Sequence, residues 1–97
     1  MNALLLMLIL ADGAALPGTW KGRISDLKCG AMVDAACNRR CIEEGHQQAV
    51  LVEDETGEIR PITNTDVVKG YAGAHVEVQG TSKDGQINVR DVKRLDK

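Results

Sequence analysis

All three cysteines of this chain lie in one short segment, C-G-A-M-V-D-A-A-C-N-R-R-C, which covers residues 29–41. The segment interrupts a series of short stretches with the pattern of β-strands. Asp34 is a good helix N-cap and the residues up to Glu44 have helical composition, so we predict a helix that ends at Gly45 in a left-handed C-cap. A helix of about ten residues is marginal alone. We therefore expect the cysteines to attach it to the rest of the protein.

The rest of the chain alternates apolar and polar residues with the period of two that is typical of β-strands. Five strands are predicted, at residues 19–26, 49–53, 58–62, 74–80 and 86–95. A capping sequence at 64–66 predicts a short helix between the third and fourth strands. The inward-facing positions of the fifth strand change register after Val89, which predicts a β-bulge. Gly22, inside the first strand, predicts a bend or a close approach of another backbone segment.

This order of elements predicts a mainly β protein. Its architecture is a five-stranded OB-like Greek-key barrel, with the cysteine-containing helix between strands one and two and the short helix between strands three and four. In OB-folds the loop between strands one and two flanks the binding face, and the cysteine helix falls in that loop. The candidate residues of this binding face are Asp26, Arg39, Arg40 and His75.

Three polar residues have more specific expectations. Asp26 stands in phase with the inward-facing residues Trp20 and Ile24 of the first strand. We expect its carboxylate to accept hydrogen bonds from backbone N–H groups near the cysteine segment, which is a structural role. His75 is expected to point outward into solvent on the fourth strand, and His46 to lie in the loop after the helix.

An apolar run, A-L-L-L-M-L-I-L-A, occupies residues 3–11. It is too short for a membrane-spanning helix, which needs about 20 apolar residues, and it is typical of the apolar part of a secretory signal. We predict a signal peptide at residues 1–15, truncated at its N-terminus because no basic residue precedes the run, and an OB-like domain at residues 16–97. The mature chain has no predicted membrane span and is expected to be periplasmic or secreted.

The chain carries 12 Lys and Arg against 14 Asp and Glu residues, a formal net charge of -2. Nucleic-acid binding needs a basic surface, and base stacking needs aromatic side chains, of which the chain has Trp20 and Tyr71 alone. We therefore expect no nucleic-acid partner. No Ser/His/Asp arrangement, phosphate-binding glycine loop or pair of carboxylates stands out. We predict a protein that is not an enzyme, with an unknown small molecule, a metal or another protein as its partner.

Two motifs support a resemblance to a known group of proteins. One is W-x-G-x-x-x-D-x-x-C, from Trp20 to Cys29, and the other is the C-x-x-x-C of the predicted helix. Together with A-V-L-V at 49–52 and A-G-A-H-V-E-V-Q-G-T at 72–81, they resemble small exported bacterial proteins of unknown function. The resemblance covers most of the mature chain and implies no reaction. In that group a histidine often follows the first Cys-Gly pair, and Val33 stands at that place here.

A disulfide is the first interpretation of the cysteines, because exported domains of this size often contain cross-links. Cys37 and Cys41 are four residues apart and share one face of a helix, and Cys29 can fold back onto that face. A bridge from Cys29 to either closes a loop of roughly 9 to 13 residues and contributes about 3 kcal/mol. The third cysteine stays free or buried. The protein is then a binding or structural module with an unknown ligand, held together by this disulfide, and it needs no cofactor.

Two alternatives remain open. Three converging thiolates are also ligands suited to copper(I) or zinc, with Met32 and His46 as secondary candidates. The third interpretation is a thiol oxidoreductase, in which Arg39 and Arg40 favour a thiolate. Its C-x-x-x-C spacing is one residue longer than the thioredoxin-type motif.

Overall fold

The computed structural model of the protein describes residues 15–96, so that the predicted signal peptide, apart from Ala15, lies outside the described residues. The fold is mainly β, with the elements in the predicted order. The strands are β1 Leu16–Asp26, β2 Ala49–Glu53, β3 Ile59–Pro61, β4 His75–Lys83 and β5 Gln86–Arg94. The helices are α1 Ala35–Glu43 and α2 Thr65–Val68, and α2 continues into a 3₁₀ turn, Lys69–Tyr71. Neither helix in this part of the chain has the length and apolar character needed to cross a bilayer.

The five strands form one antiparallel sheet in the order β3-β2-β1-β4-β5. β1 is the central strand, and its residues 22–26 pair with β2 while residues 16–23 pair with β4. Gly22 lies where the two pairings meet, and a Cβ atom there would collide with the carbonyl group of Val52. The close backbone approach predicted for this glycine is confirmed. A larger residue at this position requires β2 to shift.

Within residues 15–96 the sheet is open, and the predicted closure into a barrel is wrong. The edge strands are β3 and β5. A single parallel bridge links Ile87 of β5 to Ile62, which lies just beyond the end of β3. The N–H of Thr63 adds a hydrogen bond to the carbonyl oxygen of Ile87, at 2.9 Å. β3 is 3 residues long and ends at Pro61, whose nitrogen carries no hydrogen for a ladder. A continuous ladder between the two edges therefore does not form.

The predicted β-bulge is present in β5. The pairing with β4 passes from Asp91 to Val89 between two successive residues of β4, so that Arg90 is an extra residue in β5. Because of this extra residue, Val89 is buried and Val92 also packs against the core. The bulge therefore keeps both apolar positions of the strand in contact with the core.

The core joins the sheet to both helices. It consists of Ile24, Ile42, Ala49, Leu51, Ile62, Val68, Ala74, Val76, Val78, Ile87 and Val89. α1 contributes Ile42, which is 2 % exposed. Burial of such a side chain contributes about 1.5 to 3 kcal/mol, so that α1 is attached to the sheet by its own apolar contact.

Both ends of α1 are capped. Asp34 is the N-cap, as predicted, and its Oδ1 accepts a hydrogen bond from the N–H of Cys37 at 3.0 Å. At the other end the left-handed residue is His46, with φ 53°, and the prediction of Gly45 for this role is wrong. Gly45 is required for a different reason, because a Cβ atom there would lie 2.9 Å from the carbonyl oxygen of Cys41.

Candidate metal centre

Two elements bring three thiols together. Cys29 lies in the turn that follows β1, while Cys37 and Cys41 lie one turn apart on α1. The three sulfur atoms all lie within 4.8 Å of one another, and the Sγ atoms of Cys29 and Cys37 are 3.3 Å apart. Each of these cysteines is half-buried. We call the three residues the thiol cluster.

The predicted disulfide is absent, because all three cysteines are free thiols. The distance between the Sγ atoms of Cys29 and Cys37, 3.3 Å, is well above the bond length of about 2.05 Å. The helix was expected to need a covalent link, but Ile42 and Asn38 attach it to the sheet through buried contacts. The third cysteine, which had no assigned partner, lies beside the other two.

Asp26 organises the turn that carries Cys29. Its side chain is fully buried, and its Oδ1 accepts a hydrogen bond from the N–H of Cys29 at 2.9 Å, as predicted. Its Oδ2 accepts a second bond from Nδ2 of Asn38 at 2.7 Å. Ser25 completes the turn, because its hydroxyl donates to the carbonyl oxygen of Gly30 at 2.8 Å. The buried end of β1 thereby holds the backbone of Cys29.

Asn38 is a functional-site residue that our sequence reasoning missed. It is fully buried, and besides Asp26 its Nδ2 donates to the hydroxyl of Ser25 at 3.1 Å. Its Oδ1 accepts from the N–H of Asp34 at 3.0 Å, and Asp34 in turn caps the N–H of Cys37. One side chain therefore couples the two backbone segments of the thiol cluster. The sequence signal for the buried position of Asn38 was its spacing of four residues before the apolar Ile42, which places both residues on one face of the helix.

The surroundings of the thiol cluster favour the protonated form of two of its thiols. The hydrogen bond with Cys37, followed by one with Asp26 and by burial, raises the pKa of Cys29 to about 12. Burial and then the charge of Asp26 raise the pKa of Cys41. Burial also acts on Asp26, but hydrogen bonds from Asn38 and Cys29 outweigh it and hold the pKa of this carboxyl below its ordinary value. A metal ion that binds here must therefore displace protons.

The secondary metal candidates are more exposed than the cysteines. Met32 is 80 % exposed, and its backbone N–H donates to the carbonyl oxygen of Cys29 at 3.1 Å. His46 is exposed in the loop after α1, as expected. Among the His, Cys, Asp and Glu side chains of residues 15–96, the group that could hold an ion consists of Cys29, Cys37 and Cys41.

The two arginines of α1 are exposed. Arg39 lines an open cleft of about 330 Å³ between α1 and the 3₁₀ turn, together with Lys69, Arg94 and Asp96. The thiol cluster does not line this cleft. The structure therefore places Arg39 beside a surface groove.

The side chain of His75 is partly exposed, and it also makes a hydrogen-bond contact that the strand pattern did not predict. Its Nε2 lies 2.7 Å from Oδ2 of Asp54, at the end of β2. Its backbone N–H donates to Oδ2 of Asp96 at 3.1 Å. The imidazole is held by a carboxylate from a neighbouring hairpin, a contact between residues that are 21 positions apart. Strand alternation alone could not reveal that contact.

No protein-family model, curated protein or solved structure matches this chain. The resemblance to small exported bacterial proteins therefore stays a prediction. The function has to be argued from the thiol cluster and from the residues that hold it.

Proposed function

We propose that this protein binds a soft metal ion, copper(I), through the thiolates of Cys29, Cys37 and Cys41. The observation that carries the proposal is the convergence of three sulfur atoms within 4.8 Å of one another. Thiolates around an ion at a metal–sulfur distance of about 2.3 Å lie about 4 Å apart. The cluster is therefore close to a ligating arrangement before any ion binds.

The number and type of ligands favour copper(I). Thiolates are soft ligands that select copper(I) and zinc, but structural zinc sites are almost always four-coordinate. The thiol cluster offers three ligands, and His46, the nearest histidine in sequence, lies outside it. A fourth protein ligand is not required for a three-coordinate copper(I) thiolate site.

The backbone around the cluster supports a preformed site. Asp26 and Asn38 are buried and hydrogen-bonded to each other, and each also holds one of the cysteine-bearing segments. Outer-shell hydrogen bonds of this kind orient ligands and tune metal affinity. We therefore propose that the protein is a binding module and that the metal ion is its ligand.

A thiol oxidoreductase is less well supported by the same site. Such enzymes need a thiol whose pKa is lowered, so that it reacts as the thiolate. Here the neighbours of Cys29 raise its pKa to about 12. Arg39 and Arg40, which were candidates for stabilising a thiolate, are exposed.

The wider setting of this function is also part of the proposal. The strand order β3-β2-β1-β4-β5 and the bridge between Ile62 and Ile87 support an OB-like Greek-key arrangement. The apolar run at residues 3–11 and the resemblance of the cysteine motifs support a periplasmic or secreted protein. In that setting the protein carries or buffers its metal outside the cytoplasm.

An anaerobic titration of the reduced protein with copper(I), in competition with a chromophoric copper(I) chelator, tests the proposal. We expect one equivalent to bind per chain, and Cys37→Ser to weaken binding by at least about 100-fold because the linked ligands act as a chelate. Met32→Leu and His46→Asn are the matched controls and should bind as the unmodified protein does. A parallel zinc titration should show weaker binding. Failure of the protein to compete with the chelator, or equal binding by Cys37→Ser, would refute the proposal.

A further inference from the structure

We propose that the thiol cluster is also a redox switch, in which a small-molecule disulfide oxidises Cys29 and Cys37 to a disulfide and thereby releases the metal. The pairing follows from the geometry of the free thiols. The release step rests on the proposed function, and the test separates the two.

The Cys29–Cys37 pair is poised for bond formation. Their sulfur atoms are 3.3 Å apart, so that a disulfide of about 2.05 Å needs an approach of about 1.3 Å. Cys29 lies in a turn, residues 27–31, which is outside the sheet ladder. Cys37 lies in the first turn of α1. The bond can therefore form by adjustment of the turn while the sheet and the core stay in place.

The reaction is a thiol–disulfide exchange in two steps. The thiolate of Cys37 attacks one sulfur of the small disulfide RSSR, forms a mixed disulfide and expels RS⁻, which takes up a proton. Cys29, which is a protonated thiol in the resting cluster, then gives up its proton as its sulfur attacks Sγ of Cys37. The Cys29–Cys37 bond forms, and the second RS⁻ is expelled and takes up a proton. In sum, two protein thiols and RSSR give one protein disulfide and two RSH. The protein loses two electrons and two protons, and the small disulfide gains them.

Oxidation and metal binding exclude each other at this site. A disulfide sulfur is no longer a thiolate, so that the oxidised cluster offers a single ligand, Cys41. Loss of two of three linked ligands removes most of the gain from effective concentration, about 100-fold or more. By reciprocity of linked equilibria, the bound ion must protect the thiols from oxidation by the same factor.

Anaerobic equilibration of the protein in glutathione–glutathione disulfide mixtures tests the switch. Alkylation, intact mass and peptide mapping then report the thiols, and the oxidised protein is separately titrated with copper(I). We expect one alkylated cysteine, Cys41, a mapped Cys29–Cys37 bond, and copper(I) affinity at least about 100-fold below that of the reduced protein.

Two variants serve as matched controls. Cys41→Ser should form the disulfide with an equilibrium constant close to that of the unmodified protein, because Cys41 takes no part in the bond. Cys37→Ser should stay reduced in the same mixtures. A dominant bond that involves Cys41, or equal oxidation of Cys37→Ser, would overturn the pairing.

Retention of copper(I) by the oxidised protein would overturn the switch while leaving the metal site intact. If the reduced protein binds no copper(I), the release step is refuted together with the proposed function. The mapped bond would then still decide the pairing. Each result therefore counts for or against a separate part of the inference.

Discussion

Asn38 is a small polar side chain on the buried face of α1. It is fully buried and hydrogen-bonds to Ser25, Asp26 and Asp34. Buried polar groups must be satisfied because an unpaired one loses its interactions with water without replacement. The hydrogen bond between the two side chains meets this requirement for both residues, because Nδ2 of Asn38 donates to the buried carboxylate of Asp26. The geometry of the thiol cluster therefore depends on a residue that carries no metal-binding chemistry.

Asn38→Ala should destabilise the protein by about 1 to 3 kcal/mol, because it leaves the buried carboxylate of Asp26 short of one donor. Chemical denaturation at neutral pH in the presence of a thiol reductant measures the change. Arg39→Gln, at the next and exposed position of α1, is the control and should stay within about 0.5 kcal/mol of the unmodified protein. Equal stability of Asn38→Ala and Arg39→Gln would show that the buried network does not support the fold.

The cysteines illustrate what residue-level patterns can and cannot predict. Their spacing on the helix correctly indicates a shared face, and the phase of Asp26 in β1 correctly indicates its hydrogen bond to Cys29. The expected disulfide was wrong because the pattern contains no information on how α1 is attached. Asn38 was missed for the same reason, since its partners Ser25 and Asp26 lie 13 and 12 residues away.

Among the secondary-structure elements, β1 determines where the site lies. Its two halves pair with different neighbours, β2 and β4, and its buried C-terminal end leads directly into the turn with Cys29. The alternation of side chains predicts its C-terminal end at Asp26. Its N-terminal end was placed too late, because residues 16–18 are strand only through their pairing with β4. A partner strand, and not local propensity, extends β1 there.

Gly22→Ala tests the position in β1 where its pairings with β2 and β4 meet. Its Cβ atom would collide with the carbonyl group of Val52, so that we expect a loss of about 1 to 3 kcal/mol from overpacking. Thermal unfolding followed by circular dichroism measures the effect. Gly70→Ala is the matched control, because nothing lies within 4 Å of a Cβ atom at that position. It should be neutral or should stabilise the protein by up to about 1 kcal/mol.

If Gly22→Ala unfolded at the same temperature as Gly70→Ala, β2 would be able to move away from the new Cβ atom without a loss of stability. The central position of β1 would then contribute less to the fold than the close contact implies.

The bulge at Arg90 is a second place where the backbone departs from a regular ladder. It was predictable, because it changes the apolar register within a single strand.

At the scale of the whole molecule, the sheet and its small core support the thiol cluster within residues 15–96. Copper(I) that binds the folded thiol cluster more tightly than the unfolded chain should stabilise the fold by linkage. At a free ion concentration about 100 times the dissociation constant, the gain is about 2.7 kcal/mol. This corresponds to a rise of roughly 10 to 20 °C in the midpoint of thermal unfolding.

Anaerobic thermal unfolding with and without buffered copper(I) measures that rise. Cys37→Ser should show a much smaller change under the same conditions, whereas Met32→Leu should behave as the unmodified protein does. An unchanged midpoint in the presence of bound ion would mean that the unfolded chain binds copper(I) equally well. The preformed geometry of the cluster would then have no thermodynamic role.

The order of elements and the extent of β2 could be read from the sequence, because hydrophobic period, capping residues and turn residues are local properties of the chain. The open edge between β3 and β5, the pairing of His75 with Asp54 and the hydrogen bonds of Asn38 to β1 could not. Each of these joins residues distant in sequence, and their energy depends on packing that no single segment contains. The state of the cysteines belongs to the same class. Buried contacts of Ile42 and Asn38 attach α1 to the sheet, so the three thiols meet as free groups and no disulfide is needed to hold the helix.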